Sequence, residues 1–157
     1  MEDKLSFWLF RISNTIVGVH TIESPTNKQW DEYVSMAKKL SAELGFDEMR
    51  ALSITDGGAP SGEQRKIIND SLGGRSVLTA IVSSSPMVRN IVTALSWFNP
   101  KIKTFAPSRV RDALAHIGFA QSDVSKLCYR LRPLAGSVQA VGSALLELDQ
   151  PGREAHS

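Results

Sequence analysis

Apolar positions recur along this chain with two different periods, and the switches between them outline the elements. Leu5 to Ile12 alternates weakly, with Phe7, Leu9 and Arg11 on one side and Trp8, Phe10 and Ile12 on the other, and its aromatic content favours a strand. Ser13-Asn14 supplies a tight turn, and the β-branched stretch Thr15 to Ile22 makes the second arm of a predicted β-hairpin. Ser24-Pro25-Thr26 then opens a helix, with Thr26 as N-cap. Its buried stripe is Trp30, Tyr33, Val34, Ala37, Leu40, Ser41 and Leu44, and Gly45 ends it. Met49 to Thr55 reads as a strand and Asp56-Gly57-Gly58-Ala59-Pro60-Ser61 as the loop after it. Ser61 and Gln64 have capping-box spacing, and Ile67, Ile68 and Leu72 continue as the apolar face of a second helix that Gly73-Gly74 terminates.

The most informative span is Val77 to Phe105. Val77 to Val82 is a continuous apolar and β-branched run, the pattern of a strand covered on both faces in a parallel sheet. Ser83, Ser84 and Ser85 follow, and Pro86 stands at a natural first helical position. Val88, Ile91, Val92, Leu95 and Phe98 form one stripe, Asn99-Pro100 stops the helix, and Ile102 to Phe105 returns as a short strand. A unit of this length implies parallel strands joined by a right-handed crossover. Beyond it, Ala106-Pro107-Ser108 caps a fourth helix carrying Val110, Ala113, Leu114 and Ile117. Gln121-Ser122-Asp123 starts another, with Val124, Leu127, Cys128 and Leu131 on one side. After Pro133, Leu134 to Leu148 repeats Val138, Val141, Leu145 and Leu148 at helical spacing, and a tail begins at Pro151. The expected fold is therefore α/β: a mixed, mainly parallel sheet with an N-terminal β-hairpin and flanking helices, plus a C-terminal helical extension. The expected division is an α/β domain over 1–118, helices over 119–149 and a tail over 150–157.

Composition adds little to this picture. At 157 residues, 42% hydrophobic and 22% charged, the chain has the profile of one globular domain. It lacks a run of about 18 apolar residues, and Glu2 and Asp3 stand where a signal peptide carries positive charge, so no transmembrane segment and a cytoplasmic location are expected. Cys128 is alone, which rules out an intrachain disulfide and a cysteine metal site; a buried small hydrophobe is expected there. Charge changes the picture only in its distribution. Residues 75–132 hold 9 basic and 2 acidic side chains, against 8 and 11 in 1–74. Such a basic middle could attract an acidic partner. Its charges are spread over several elements with only Trp97 and Tyr129 among them to stack on a base, so nucleic acid is not expected as a partner.

Chemistry has one natural place to sit. In an open α/β sheet ligands bind along the carboxyl ends of the strands, facing the helix N-termini. On this chain that rim collects Asp56, Gly57, Gly58 and Ser61 from one loop, Ser83, Ser84 and Ser85 from the next, and Ser108 from the last. Hydroxyls and free amides there can meet an anion or a partner, while helix capping alone would also place a serine at each point. Phosphate-loop, dinucleotide, zinc-protease and nucleophile-elbow motifs are absent, His116 and His156 have no evident route to a rim serine, and Asp56 stands as a lone carboxylate whose ordinary role is to bond its own loop amides. His20, inside a strand with no titratable neighbour, is expected to be a satisfied structural residue. Neither an enzyme, a cofactor nor a bound metal is expected.

The stretch VSSSPMVRNIVTALSWFNPKIKTFAPSRVRDALAHIGF, with its strand, helix, short strand ending in Phe105 and Ala-Leu-containing helix ending in Gly118, resembles the STAS fold of sulfate transporters and anti-sigma-factor antagonists. The resemblance is closest to that fold's divergent bacterial branch, which is also similar to CRAL-TRIO lipid-transfer domains, and it covers roughly residues 5 to 118. It implies a regulatory module that works by protein–protein contact, with Asp56 to Arg65 and Ser83 to Arg89 as the contact edge. In the antagonists a serine or threonine at the start of the helix after the third strand is phosphorylated. The matching residue here is Ser61, although the usual D-S-[ST]-G run is replaced by Asp56-Gly-Gly-Ala-Pro-Ser61. Residues 123–148 lie outside the resemblance, and their apolar stripes require a cover, either the sheet's own flank or a second copy of the chain. Self-association through 123–148 is the expectation taken from them. The other reading is lipid or small-molecule anion binding in a pocket between sheet and helices.

Overall fold

A computed structural model describes residues 5–96 and 101–150, the side chains of 94–96 excepted. Trp97, Phe98, the Asn99-Pro100 stop, the tail from Pro151 and His156 lie outside the described residues, as does the Leu95 side chain. The chain is α/β, with a mixed five-stranded sheet in the order β1-β2-β3-β4-β5. β1 (Phe7–Ile12) pairs antiparallel with β2 (Thr15–His20) through the Ser13-Asn14 turn, where Ser13 has φ 52°. β2, β3 (Arg50–Thr55), β4 (Leu78–Val82) and β5 (Ile102–Phe105) run parallel, with Val17 beside Leu52 and Leu52 beside Ala80. Each parallel connection carries a helix: α1 (Asn27–Leu44), α2 (Gly62–Ser71) and α3 (Pro86–Ser96). After β5 come α4 (Val110–His116), α5 (Val124–Leu131) and α6 (Gln139–Leu148).

The period of two along the strands distributes the core between two faces. Phe10, Ile12, Val17, Val19, Leu52, Ile54, Ala80 and Val82 point to one side, where Val110, Leu114, Leu127, Leu131, Val141 and Leu145 of α4, α5 and α6 close over them. Ile16 and Ala51 point to the other, under Ala37 and Leu40 of α1 and Leu72 after α2. β2 lies between β1 and β3, and all six of its residues are buried.

The apolar stripes of 123–148 are therefore covered by the sheet's own flank. Leu127, Leu131, Val141 and Ala144 are each 0% exposed, which removes the ground for self-association through 123–148. Other expectations also need correction. β2 stops at His20, leaving Ile22 77% exposed rather than in a strand. The buried residue of α2 is Gln64, not Ile67, because the Gln64 amide bridges two helix starts as described below. Ser108 caps nothing; it lies in a 3-10 turn, Pro107–Arg109, that leads into α4. Gln121–Asp123 leads into α5 as expected, and the Asp123 carboxylate accepts the Ser13 hydroxyl at 2.8 Å, which fastens the hairpin turn to the C-terminal helices. The last helix begins at Gln139, not Leu134, since Arg132–Leu134 forms a 3-10 turn and Val138 is extended.

Candidate functional site

The carboxyl ends of β2, β3 and β4 lie side by side, and the loops that leave them are tied together by main-chain bonds. Asp56 N donates to His20 O (3.2 Å) and Gly58 N to Thr21 O (2.8 Å), so the loop after β3 lies against the segment after β2. Thr55 Oγ1 accepts from Gly57 N (3.0 Å) and donates to Gly58 O (2.6 Å), closing the turn on itself. Gly57 has φ 149°, a conformation that side chains disfavour. Gly58 is required for space: a Cβ there would lie 2.0 Å from the Glu23 carbonyl oxygen. The loop after β4 comes close to the same point, since a Cβ on Gly57 would sit 3.9 Å from Ser85 Oγ and 3.9 Å from Ile22 Cα. Gly57, Ile22 and Ser85 thus share one patch of rim.

Within the second loop the hydroxyls have local partners. Ser83 is buried and its Oγ accepts from Ser85 N at 3.1 Å, while Ser85 Oγ accepts a long bond from Val88 N (3.4 Å) in the first turn of α3. Ser84 and Arg89 point to solvent. Ser61 and Arg65 belong to a different neighbourhood. Ser61 and Gln64 form a complete capping box, and Gln64 Nε2 donates to Pro25 O (2.9 Å) and Asn27 Oδ1 (3.1 Å) at the start of α1. Trp30 Nε1 donates to Gln64 O at 2.7 Å, and Arg65 turns back onto Pro60 O at 2.8 Å. Among the described residues no hydrogen bond or ion pair joins Ser61 or Arg65 to Ser83–Arg89. Of the candidates between Asp56 and Arg65 and between Ser83 and Arg89, Gly57, Gly58, Ser83, Ser84 and Ser85 therefore form the rim proper, with Arg89 just beyond on α3.

Asp56 has the least expected role. Its two carboxylate oxygens accept from Gln139 N (2.7 Å) and Ala140 N (2.8 Å), the first free amides of α6. Val138, the residue before that helix, offers no side-chain cap, so Asp56 supplies one from 83 residues earlier in the chain. The carboxylate serves a distant helix and not its own loop, where Thr55 does that work instead. The negative charge at a helix N-terminus is also favourable to the helix dipole.

Two exposed apolar side chains border this patch and were not among the candidates. Ile22 is 77% and Met87 68% exposed, the first beyond the end of β2 and the second in the first turn of α3. Met87 stands off the stripe of Val88, Ile91 and Val92, a departure readable in the sequence. Ile22 gave no such signal, because a β-branched residue after a β-branched strand reads as more strand.

His20 ends β2 at this rim and its carbonyl accepts from Asp56 N, but its side chain is turned into the protein. His20 is 4% exposed, its ring 4.7 Å from that of Phe7, and its Nδ1 has no hydrogen-bond partner, so it is packed rather than satisfied. Burial lowers its pKa to about 4. Cys128 lies in the core, and burial followed by the nearby Asp149 charge raises its thiol pKa, which keeps it protonated. His116, at the end of α4, meets Lys101 O at 3.0 Å and packs its ring 5.8 Å from that of Phe105. No protein-family model, curated protein or solved structure matches this chain.

Two outcomes follow from these placements. Asp56→Ala is expected to cost about 0.5–2 kcal/mol, the usual range for a lost cap. Amide exchange at Gln139 and Ala140 should speed up with it, whereas unchanged exchange there would contradict the cap. His20, with its folded pKa about 4 against 6.5, binds a proton in the unfolded chain first, so stability present above pH 6.5 declines as pH falls toward 4. Between pH 7 and 5 this amounts to roughly 2 kcal/mol. Urea titrations of wild type and His20→Phe at both pH values check it, the variant losing that much less.

Proposed function

We propose that this chain is a STAS-like regulatory module without catalytic activity that works by protein–protein contact, its contact surface being the rim of Gly57, Gly58 and Ser83 to Arg89. The observation that carries this reading is the pair of exposed apolar side chains, Ile22 and Met87, flanking Gly57 and Ser85. Large apolar groups exposed beside the solvent-facing Ser84 and the loop backbone suit a protein interface, where a partner supplies the missing cover. The rim is also built in advance. Main-chain bonds from β2 and the Asp56 bridge to α6 hold the loop before anything binds, which lowers the entropy cost of docking. Ser61 is an exposed N-cap and the candidate switch. A phosphate there would sit at a helix N-terminus, tolerated by α2, and would act on a docked partner through about two negative charges.

The test is cross-linking and affinity capture from the native host, with wild type compared with Met87→Glu and Ile22→Glu, and with Leu146→Glu as a control. Leu146 is 70% exposed but lies near the other end of α6. The expected result is one stoichiometric partner, lost by at least about tenfold with either rim variant and retained with the control, as a charge buried in an interface costs more than 1.4 kcal/mol. No partner, or equal loss with the control, contradicts the proposal. A lipid retained in native mass spectrometry of the host-purified protein supports ligand binding between sheet and helices instead.

A further inference from the structure

The free edge of β1 carries an unused set of backbone donors and acceptors, and their positions can be read from the register. The two-residue turn makes Ile12 and Thr15 a hydrogen-bonded pair, so Phe10 with Val17 and Trp8 with Val19 are such pairs too. Thr21 N donating to Ser6 O at 3.0 Å continues the series. The N–H and C=O groups of the even positions therefore face β2. Those of Phe7, Leu9 and Arg11 face outward, and among the described residues β1 has no neighbour on that side in the sheet order.

Edge strands ordinarily carry protection against pairing: shortness, lysine, proline or a bulge. β5, at the opposite edge, has two of these, being four residues long with Lys103 in its middle. β1 has none. It is six residues, FWLFRI, in unbroken register with β2, and its one charge, Arg11, is held by Glu43 at 2.5 Å. Beside its far end an open groove of about 530 Å³ runs between Arg11, Ile12 and Ser13 and the Tyr129 and Arg130 side of α5, with Tyr129 77% exposed.

We propose that β1 pairs antiparallel with β1 of a second copy about a two-fold axis at Leu9, joining two sheets into one of ten strands. The occupant is a second copy because the strand is its own complement. Outward groups at 7, 9 and 11 are symmetric about 9, so Leu9 meets Leu9, Phe7 meets Arg11 and Arg11 meets Phe7, and every outward group of the strand is satisfied at once. In the same register Trp8 lies opposite Phe10 of the second copy, twice, on the face that α5 borders. Aromatic pairs directly opposite across strands are among the favourable ones. The contact is the same patch on both chains and closes on itself, so it ends at a dimer and not a fibre. It leaves the strand-end rim free and does not depend on the function proposed for that rim.

The test is sedimentation of the full chain, with amide hydrogen exchange across a range of protein concentrations. The expected result is a dimer in which Phe7, Leu9 and Arg11 gain protection as concentration rises, while Trp8, Phe10 and Ile12 are protected throughout. Leu9→Pro removes the outward donor at the axis without touching the β2 ladder. It should weaken dimerisation about tenfold or more, because two interchain hydrogen bonds are lost. Leu9→Lys sets two like charges opposite each other and should weaken it as well. A monomer at every concentration overturns the proposal, as does a dimer whose three outward amides stay unprotected. If either variant fails to fold, the wild-type exchange pattern decides alone.

Discussion

A parallel sheet has two apolar faces, and neither can be left in water. That constraint organises the whole chain. The first crossovers place α1 and α2 over Ile16 and Ala51, and the opposite face, which carries the larger cluster from Phe10 to Val82, is closed by α4, α5 and α6 together. With apolar burial worth about 25 cal/mol per Å², such side chains govern stability far more than any surface ion pair here. The C-terminal helices are on this view a structural wall of the sheet, and the hydrogen bonds between them and the N-terminal half follow from that placement.

One of those bonds links core to surface. Because α6 must lie across the sheet face near the end of β3, its unsatisfied first amides arrive beside Asp56, and the carboxylate completes them. The same residue opens the Gly57-Gly58 turn, whose backbone is fixed in turn by β2. The rim is consequently stiff at its base and apolar at its borders, where Ile22 and Met87 stand exposed. Stiffness with exposed apolar groups is the combination that favours docking of a preformed surface. The reactive-looking residues, by contrast, are occupied or buried: Ser61 and Ser85 at helix starts, Ser83 under its own loop, His20 against Phe7.

Much of this was legible in the sequence, for identifiable reasons. Period two in β1, the apolar run of β4, the Thr26 and Ser61 caps and the glycines after α1 and α2 each act over a few residues, and local physics determined them. The adjacency of the loops after β3 and β4 followed from parallel topology. What escaped were partnerships over long separations: Asp56 with Gln139, Ser13 with Asp123, Gln64 with Pro25. No local pattern encodes such pairs, because each is created by the packing of elements that fold against one another. The stripes at Leu127, Leu131 and Val141 are legible as apolar, but periodicity says only that a stripe needs a cover and not which surface provides it.

The claim on which the rest depends is that residues 119–150 are an integral wall of the sheet. Urea unfolding of the fragment 1–118 beside the full chain tests it most directly. Without α5 and α6 the face of Phe10, Val17, Leu52 and Ile54 is largely uncovered, so the fragment should lose cooperative unfolding and near-ultraviolet circular dichroism and bind a hydrophobic dye. A fragment that unfolds in one sharp transition, with a midpoint near that of the full chain, would contradict the account.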